Sequence, residues 1–331
     1  MAYQVVQRGR RRRRRRSVVL AALILVVCAG IAASIALRSD PKSQAAAGPT
    51  PQAPLTATGT APLAGGGTAP SPLAVRLDDP RDTVSLKFKQ PPRSALMFDL
   101  DTGRVLWRRD PTRVLPIASL TKMMTALVVV DRVPDGAKVL VTKEALAYQG
   151  SGVGLLPRGK WIGVNAMLHG LLLPSGNDAA IALAQRAAKT VPRFVQLMND
   201  KAKALGLVCT RFSSPSGFTD KDNHSCASDL AAVARAVLRQ PRLARIVRRR
   251  EAKLPFPIKG GKLWLYNNNP LLRMGYPGTT GMKTGYTYAA GRCLVATARR
   301  GPIRLGVVLL HSPDPGKQAM QLLDRGFRAE S

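Results

Sequence analysis

The sequence predicts an α/β domain of the α+β kind: one antiparallel sheet flanked by helices, with an all-helical lobe inserted. Three observations predict it. Strand-like runs occur around residues 94–107 and return after residue 281. Helical periodicity fills the interval between them. No internal repeat divides the chain, so both ends of the domain supply one sheet and the middle forms a helical layer. The 331 residues and 45% apolar content suffice for a substantial core.

The elements follow in order. Residues 1–16 are basic, with Arg8 and Arg10 to Arg16 interrupted only by Gly9. Residues 17–37 then carry no charge for 21 residues. About 20 apolar residues cross a bilayer as a helix, and the preceding arginines keep the N-terminus inside. The expectation is a single-pass anchor in the cytoplasmic membrane, with the remainder on the extracytoplasmic face. A cleaved signal peptide, giving a secreted protein, is the alternative. Residues 38–85 are Pro, Ala, Gly and Thr with few charges, the composition of a disordered tether. The folded domain is expected over residues 86–331.

Within it, residues 94–100 and 104–107 read as strands around an Asp101-Thr102-Gly103 turn. Ser119 opens a helix. Residues 164–173 and 177–188 suggest two more. Phe194, Leu197, Met198, Ala202 and Leu205 recur at helical spacing, and Gly206 ends that run. Residues 229–238 form another helix. Strands follow at 281–286, 293–298 and 304–310, and a helix at 316–327 closes the chain.

The formal net charge is +32; removing the nine arginines of residues 1–38 leaves +23. Basicity therefore belongs to the whole chain and predicts attraction to anionic surfaces. A nucleic-acid tail is set aside for the arginine block, because an apolar stretch follows at once. No specific nucleic acid is expected as partner.

Chemistry is suggested by three short segments. Ser119 and Lys122 stand three apart in PIASLTK, where helical spacing puts both on one face. The same S-x-x-K pattern occurs at Ser39 and Lys42, where Pro41 opposes a helix, so the pattern alone says little. LLPSGNDAA places Ser175 and Asn177 in a loop between two apolar helices. GMKTGYT places Lys283, Thr284, Gly285, Tyr286 and Thr287 on a strand, Gly285 allowing close approach of backbone. Singly, Ser119 reads as a helix cap, Ser175 as another and Lys283 as an edge charge. The order S-x-x-K, S-x-N, K-T-G is that of penicillin-recognising serine enzymes.

With those motifs the sequence resembles the low-molecular-weight penicillin-binding proteins, in particular the D-alanyl-D-alanine carboxypeptidases of peptidase family S11. The resemblance covers roughly residues 86–331 and implies the penicillin-binding/β-lactamase-like transpeptidase fold. Its middle motif, S-G-N, differs from the S-D-N of many class A β-lactamases. Lys160 and Trp161 stand where many members have an acidic residue. Some members add an all-β domain and a C-terminal amphipathic anchor; here the sequence stops at Ser331, and the N-terminal span is the expected anchor.

The resemblance implies removal of the terminal D-alanine from peptidoglycan stem peptides, with β-lactam antibiotics as covalent inhibitors. Ser119 would be the nucleophile and Lys122 its base. Asn177 would hold Lys122, and Ser175 would pass a proton to the leaving group, in contact with Lys283. Lys283, Thr284 and Thr287 would bind the terminal carboxylate. The N–H groups of Ser119 and Tyr286 would receive the oxyanion. No metal or organic cofactor is implied. Alternatives are a DD-endopeptidase or β-lactamase on the same fold, or a non-catalytic wall-binding homologue.

The remaining inventory bears on these alternatives. His169, His224 and His311 show no metal spacing and suggest no Ser-His-Asp triad; His169 reads as a core residue. Glu144, Glu251 and Glu330 lack the E-x-x-L-N context of a class A β-lactamase. Slow loss of bound penicillin is therefore expected rather than efficient hydrolysis. Cys28 lies in the apolar stretch and Cys293 in a strand. Cys209 and Cys226 are a candidate disulfide, since an extracytoplasmic compartment permits one.

Overall fold

The computed structural model describes residues 71–79, 82–154, 156–218, 221–257 and 261–331. Strands β1 (Ser94–Asp99) and β2 (Val105–Arg109) form a hairpin. Asp99 closes its turn by accepting the N–H groups of Asp101 and Thr102, at 3.0 and 2.7 Å. Strand β3 (Leu115–Pro116) leads into a 3₁₀ turn, Ala118–Thr121, and helix α1 (Lys122–Arg132). The helical lobe then holds β4 (Lys138–Leu140), α2 (Lys143–Leu146), β5 (Trp161–Gly163), α3 (Val164–Leu172), α4 (Asn177–Ala188) and α5 (Val191–Ala204). Next come β6 (His224–Ser225), α6 (Ala227–Arg239) and α7 (Pro241–Val247). A hairpin of β7 (Glu251–Pro255) and β8 (Lys262–Tyr266) and the short α8 (Pro270–Arg273) return the chain to the sheet. Strands β9 (Thr279–Thr287), β10 (Gly291–Arg300) and β11 (Ile303–Leu310) and helix α9 (Pro315–Glu330) complete it.

The main sheet has the order β2-β1-β11-β10-β9, antiparallel throughout. Ser94 lies opposite Leu310 and Asp99 opposite Leu305, so the two ends of the domain pair directly. Side chains alternate across the pleat. Leu96, Phe98, Val295, Val308 and Leu310 face the helical lobe. Ala95, Met97, Leu294, Ala296, Val307 and Leu309 face α9, which contributes Ala319, Leu322, Leu323 and Phe327. Helices α1 and α6 are the central ones. α1 is buried from Lys122 through Val129, and α6 from Ala227 through Val237. A helix apolar nearly all round has to lie inside a fold.

Two expectations are revised. The domain begins before residue 86, because residues 71–79 and 82–85 pack against it. Leu73 and Val84 are buried, and the Val84 N–H donates to the Leu106 carbonyl at 2.9 Å. Buried Arg235 donates to the carbonyls of Leu73, Ala74, Leu100 and Asp101 at 2.8–3.0 Å. A tether composition up to residue 85 hides these few anchoring contacts. The hairpins β4–β5 and β7–β8 and the helices α2, α7 and α8 are also absent from the sequence reading; each is short or rich in charge.

The apolar stretch 17–37 and most of the expected tether lie outside the described residues. Among the described residues no helix is long and apolar enough to cross a membrane.

Candidate active site

Ser119 sits in the 3₁₀ turn that opens α1. The turn starts from Ala118, held at φ 47°, a left-handed conformation uncommon for a residue with a Cβ. Gly217, at φ 72°, explains how the turn is held. A Cβ there would lie 2.0 Å from the Ala118 carbonyl oxygen, so only glycine lets the 214–218 loop press so closely. That loop also accepts a 2.7 Å hydrogen bond from Thr125 through the Pro215 carbonyl.

One turn on, Lys122 is fully buried. Its Nζ lies 2.8 Å from Ser119 Oγ, 2.7 Å from Asn177 Oδ1 and 2.7 Å from the Ser216 carbonyl oxygen. Burial, and then the nearby charge of Lys283, hold this amine well below its usual basicity; the Asp178 carboxylate acts in the opposite sense. A neutral amine has two N–H groups and one lone pair. Asn177 and Ser216 can each take one N–H, leaving the lone pair for the Ser119 hydroxyl proton.

Asn177 opens α4. Its Nδ2 donates to the Gln149 carbonyl and its backbone N–H to the Ser151 carbonyl, at 2.7 Å for the latter. Asp178 anchors the same loop by accepting the Val153 N–H at 2.9 Å. Ser175, at φ 72°, is buried, and its Oγ makes no hydrogen bond among the described residues. Ser175 and Lys283 therefore share no hydrogen bond in this structure. Lys283, also buried, donates instead to the Thr284 carbonyl at 2.8 Å. Burial lowers its pKa to about 7.

The sheet edge β9 brings Lys283, Thr284 and Gly285 to the Ser119 turn. A Cβ at Gly285 would stand 2.9 Å from the Ile117 carbonyl oxygen and 3.1 Å from the Ser119 nitrogen. Together these elements enclose a cleft of about 340 Å³ that includes Ser119, Ser175, Thr284, Gly285 and Tyr286. Thr287 does not line it; its hydroxyl accepts the Ala290 N–H at 3.1 Å and caps the β9–β10 turn.

Residues 84–314 match the D-alanyl-D-alanine carboxypeptidase family. The chain belongs to that family. It is 35% identical over 243 residues to the D-alanyl-D-alanine carboxypeptidase DacF of Bacillus subtilis, covering 71% of this chain and 62% of that protein. A D-alanyl-D-alanine carboxypeptidase of Mycobacterium tuberculosis is 35% identical over 245 residues, covering 72% and 82% respectively. The crystal structure of a Mycobacterium tuberculosis D-alanyl-D-alanine carboxypeptidase superposes with a TM-score of 0.69 at 33% identity, covering 74% of this chain and 94% of that one. A Streptomyces DD-transpeptidase gives a TM-score of 0.69 at 30% identity, covering 74% and 100%.

Within this family fold, several cleft residues carry no sequence motif of their own. Ser151, Asn268 and Arg292 line the cleft. Asn268 ties itself to the Ser175 loop, donating from Nδ2 to the Pro174 carbonyl at 3.0 Å. Asn223 donates to Thr121 Oγ1 at 2.9 Å, within the turn that carries Ser119. Ser216 and Gly217 lie in the SSPSGF stretch between two cysteines, which matches none of the three motifs. Cys209 and Cys226 are joined by a disulfide across 17 residues, with Cα atoms 5.6 Å apart. It closes the segment that carries the Ser216 carbonyl. Cys293 is buried in β10 and borders the cleft.

Proposed function

We propose that this chain is a serine-type D-Ala-D-Ala carboxypeptidase that removes the terminal D-alanine from peptidoglycan stem peptides. One observation carries the reading: fully buried Lys122, held by Asn177 and the Ser216 carbonyl, lies 2.8 Å from Ser119 Oγ. A lysine so placed is a base and not a surface charge. Ser119 Oγ attacks the carbonyl carbon of the penultimate D-alanine while its proton passes to Lys122 Nζ. The C–N bond then breaks. The proton returns to the departing amine, with Ser175 as the hydroxyl within the cleft that can relay it. Water attacks the acyl carbon as Lys122 accepts its proton; the ester C–Oγ bond then breaks, and that proton returns to Ser119 Oγ as the shortened peptide leaves.

The oxyanion is assigned to the N–H groups of Ser119 and Tyr286, whose segments approach closely at Gly285. One such donor is worth about 2.7–4 kcal/mol in a comparable site. The terminal carboxylate is assigned to Thr284 with Arg292 and Lys283. Lys283 is buried with a pKa of about 7, whereas Arg292 is exposed in the cleft and always charged. A β-lactam presents a strained amide to the same nucleophile, and its ring opening leaves Ser119 acylated. Residues 17–37 would anchor the domain to the cytoplasmic membrane, facing the wall; their 21 uncharged residues support that placement.

Intact mass after incubation with benzylpenicillin tests this reading. One penicilloyl adduct is expected, absent from Ser119→Ala, together with D-alanine release from a stem peptide. A folded chain that takes no adduct, or a Ser119→Ala chain that still releases D-alanine, overturns it.

A further inference from the structure

A second cavity, of about 390 Å³, lies between α3 and α7. It is lined by Asp135, Asn165, His169, Arg242, Arg245 and Arg249, and shares no residue with the Ser119 cleft. Three guanidinium groups face one carboxylate there. His169 belongs to α3 and is only 4% exposed. Its Nδ1 lies 2.8 Å from the Asn165 carbonyl oxygen, which assigns the ring proton to Nδ1 and leaves Nε2 bare. Nε2 is buried and has no hydrogen-bond partner. Arg242 belongs to α7. Its Nη1 is engaged by Asp135 Oδ1 at 2.6 Å and lies 3.4 Å from the Val133 carbonyl oxygen. Its Nη2 is buried and unpartnered. Each helix thus presents one unused buried nitrogen to a wall of positive charge.

A purely structural role explains this poorly. Unpaired buried polar atoms cost stability, and clustered arginines repel one another. Asp135 is 77% exposed and neutralises only one of the three. We propose that the cavity is a binding site for a phosphate-type oxyanion. Its oxygens would accept from Arg242 Nη2 and from Arg245 and Arg249, whose long exposed side chains can turn inward. Asp135 opposes an anion and would remain on Nη1. Burial first, and then the charges of Arg249 and Arg242, hold His169 below its usual basicity, while the Asn165 carbonyl acts in the opposite sense; Arg245 also faces the cavity. A bound anion offsets the arginine charges and gives the charged ring a partner, so Nε2 gains a proton and becomes a fourth donor. Three guanidinium groups and an imidazolium exceed what the two oxygens of a carboxylate can use; a tetrahedral phosphate can engage all of them. The cavity has room beyond one phosphate group, so free and esterified phosphate offer the same chemistry.

The site is independent of the catalytic reading, and the test keeps them apart. The full chain is titrated calorimetrically with inorganic phosphate and with poly(glycerol phosphate), in two buffers of different protonation enthalpy. Saturable binding to at least one is expected, with proton uptake near neutral pH. Arg245→Gln and Arg249→Gln should each weaken it at least tenfold. His169→Gln should abolish the proton uptake. All three should still take up benzylpenicillin at the wild-type rate, which verifies their folding without drawing on the cavity. Binding of the polymer alone assigns the site to esterified phosphate; binding of both extends it to the free ion. Absence of saturable binding to either, binding unchanged in both arginine variants, or binding without proton uptake overturns the proposal.

Discussion

Lys122 and Lys283 are two amines placed where water does not reach, and burial more than any partner sets their charge. Lys283 titrates at about 7 in the folded chain and at the ordinary 10.5 when unfolded. Between those values the unfolded chain holds a proton that the folded chain lacks. Its contribution to stability therefore rises as pH increases from 7 towards 10.5, and below 7 the buried ammonium costs on the order of a few kcal/mol. Melting temperature should climb with pH over 7–10, and Lys283→Met should flatten that slope. Lys122 is linked to the same group, because the Lys283 charge depresses its basicity. Penicillin acylation should accelerate as pH rises and Lys122 loses its proton. In Lys283→Gln the accelerating limb should move to higher pH; an unmoved limb would show that the two amines are uncoupled. At this scale Ser119, Lys122, Asn177 and Lys283 were legible as motif letters. The Ser216 carbonyl was not, since a backbone oxygen leaves no trace in composition.

The site is assembled where elements touch, and small residues set the distances. β9 reaches the Ser119 turn only because Gly285 has no side chain. In Gly285→Ala the new Cβ would meet backbone atoms of Ile117 and Ser119, which cannot swing aside as a side chain can. The strand should shift outward at a cost of about 1–3 kcal/mol. Displacement of that size near reacting atoms costs on the order of 100-fold in rate. The expected result is acylation slowed about that much with a modest fall in melting temperature; an unaffected rate would place the oxyanion donors elsewhere. Long elements were legible for a physical reason. α4 spans Asn177–Ala188 as its apolar spacing indicates, and β9 to β11 alternate between two buried faces. The β4–β5 and β7–β8 hairpins have three and five residues per strand, too few for periodicity to register.

At the scale of the molecule, one sheet is closed by pairing β1 with β11, more than 200 residues later. The segment before β1 belongs to the same body. Arg108 pairs with Asp82 at 2.7 Å and donates to the Leu77 and Asp79 carbonyls. Arg235 holds the Leu73 and Ala74 carbonyls from the other side. A fragment beginning at residue 86 would expose part of the core that Leu73 and Val84 cover and leave Arg235 half-satisfied. It should unfold more easily than one beginning at 71 by on the order of 3–6 kcal/mol. Chemical denaturation of the two fragments checks this; equal midpoints would return residues 71–85 to the tether.

The sequence by itself determined the fold class, the order of the long elements and the residues of three motifs. These are local properties: periodicity of 3.6 or 2, the conformational freedom of glycine, and spacing along one helix. Only the tertiary structure decided that Lys122 is buried with its Nζ on Asn177 and the Ser216 carbonyl, and that Ser175 Oγ makes no hydrogen bond to Lys283. Both depend on burial and on residues far apart in the chain, as with Asn177 and Ser216 on Lys122. Desolvation and long-range backbone approach arise only when the chain is packed, so the charge state of a lysine belongs to the fold and not to its position in the sequence.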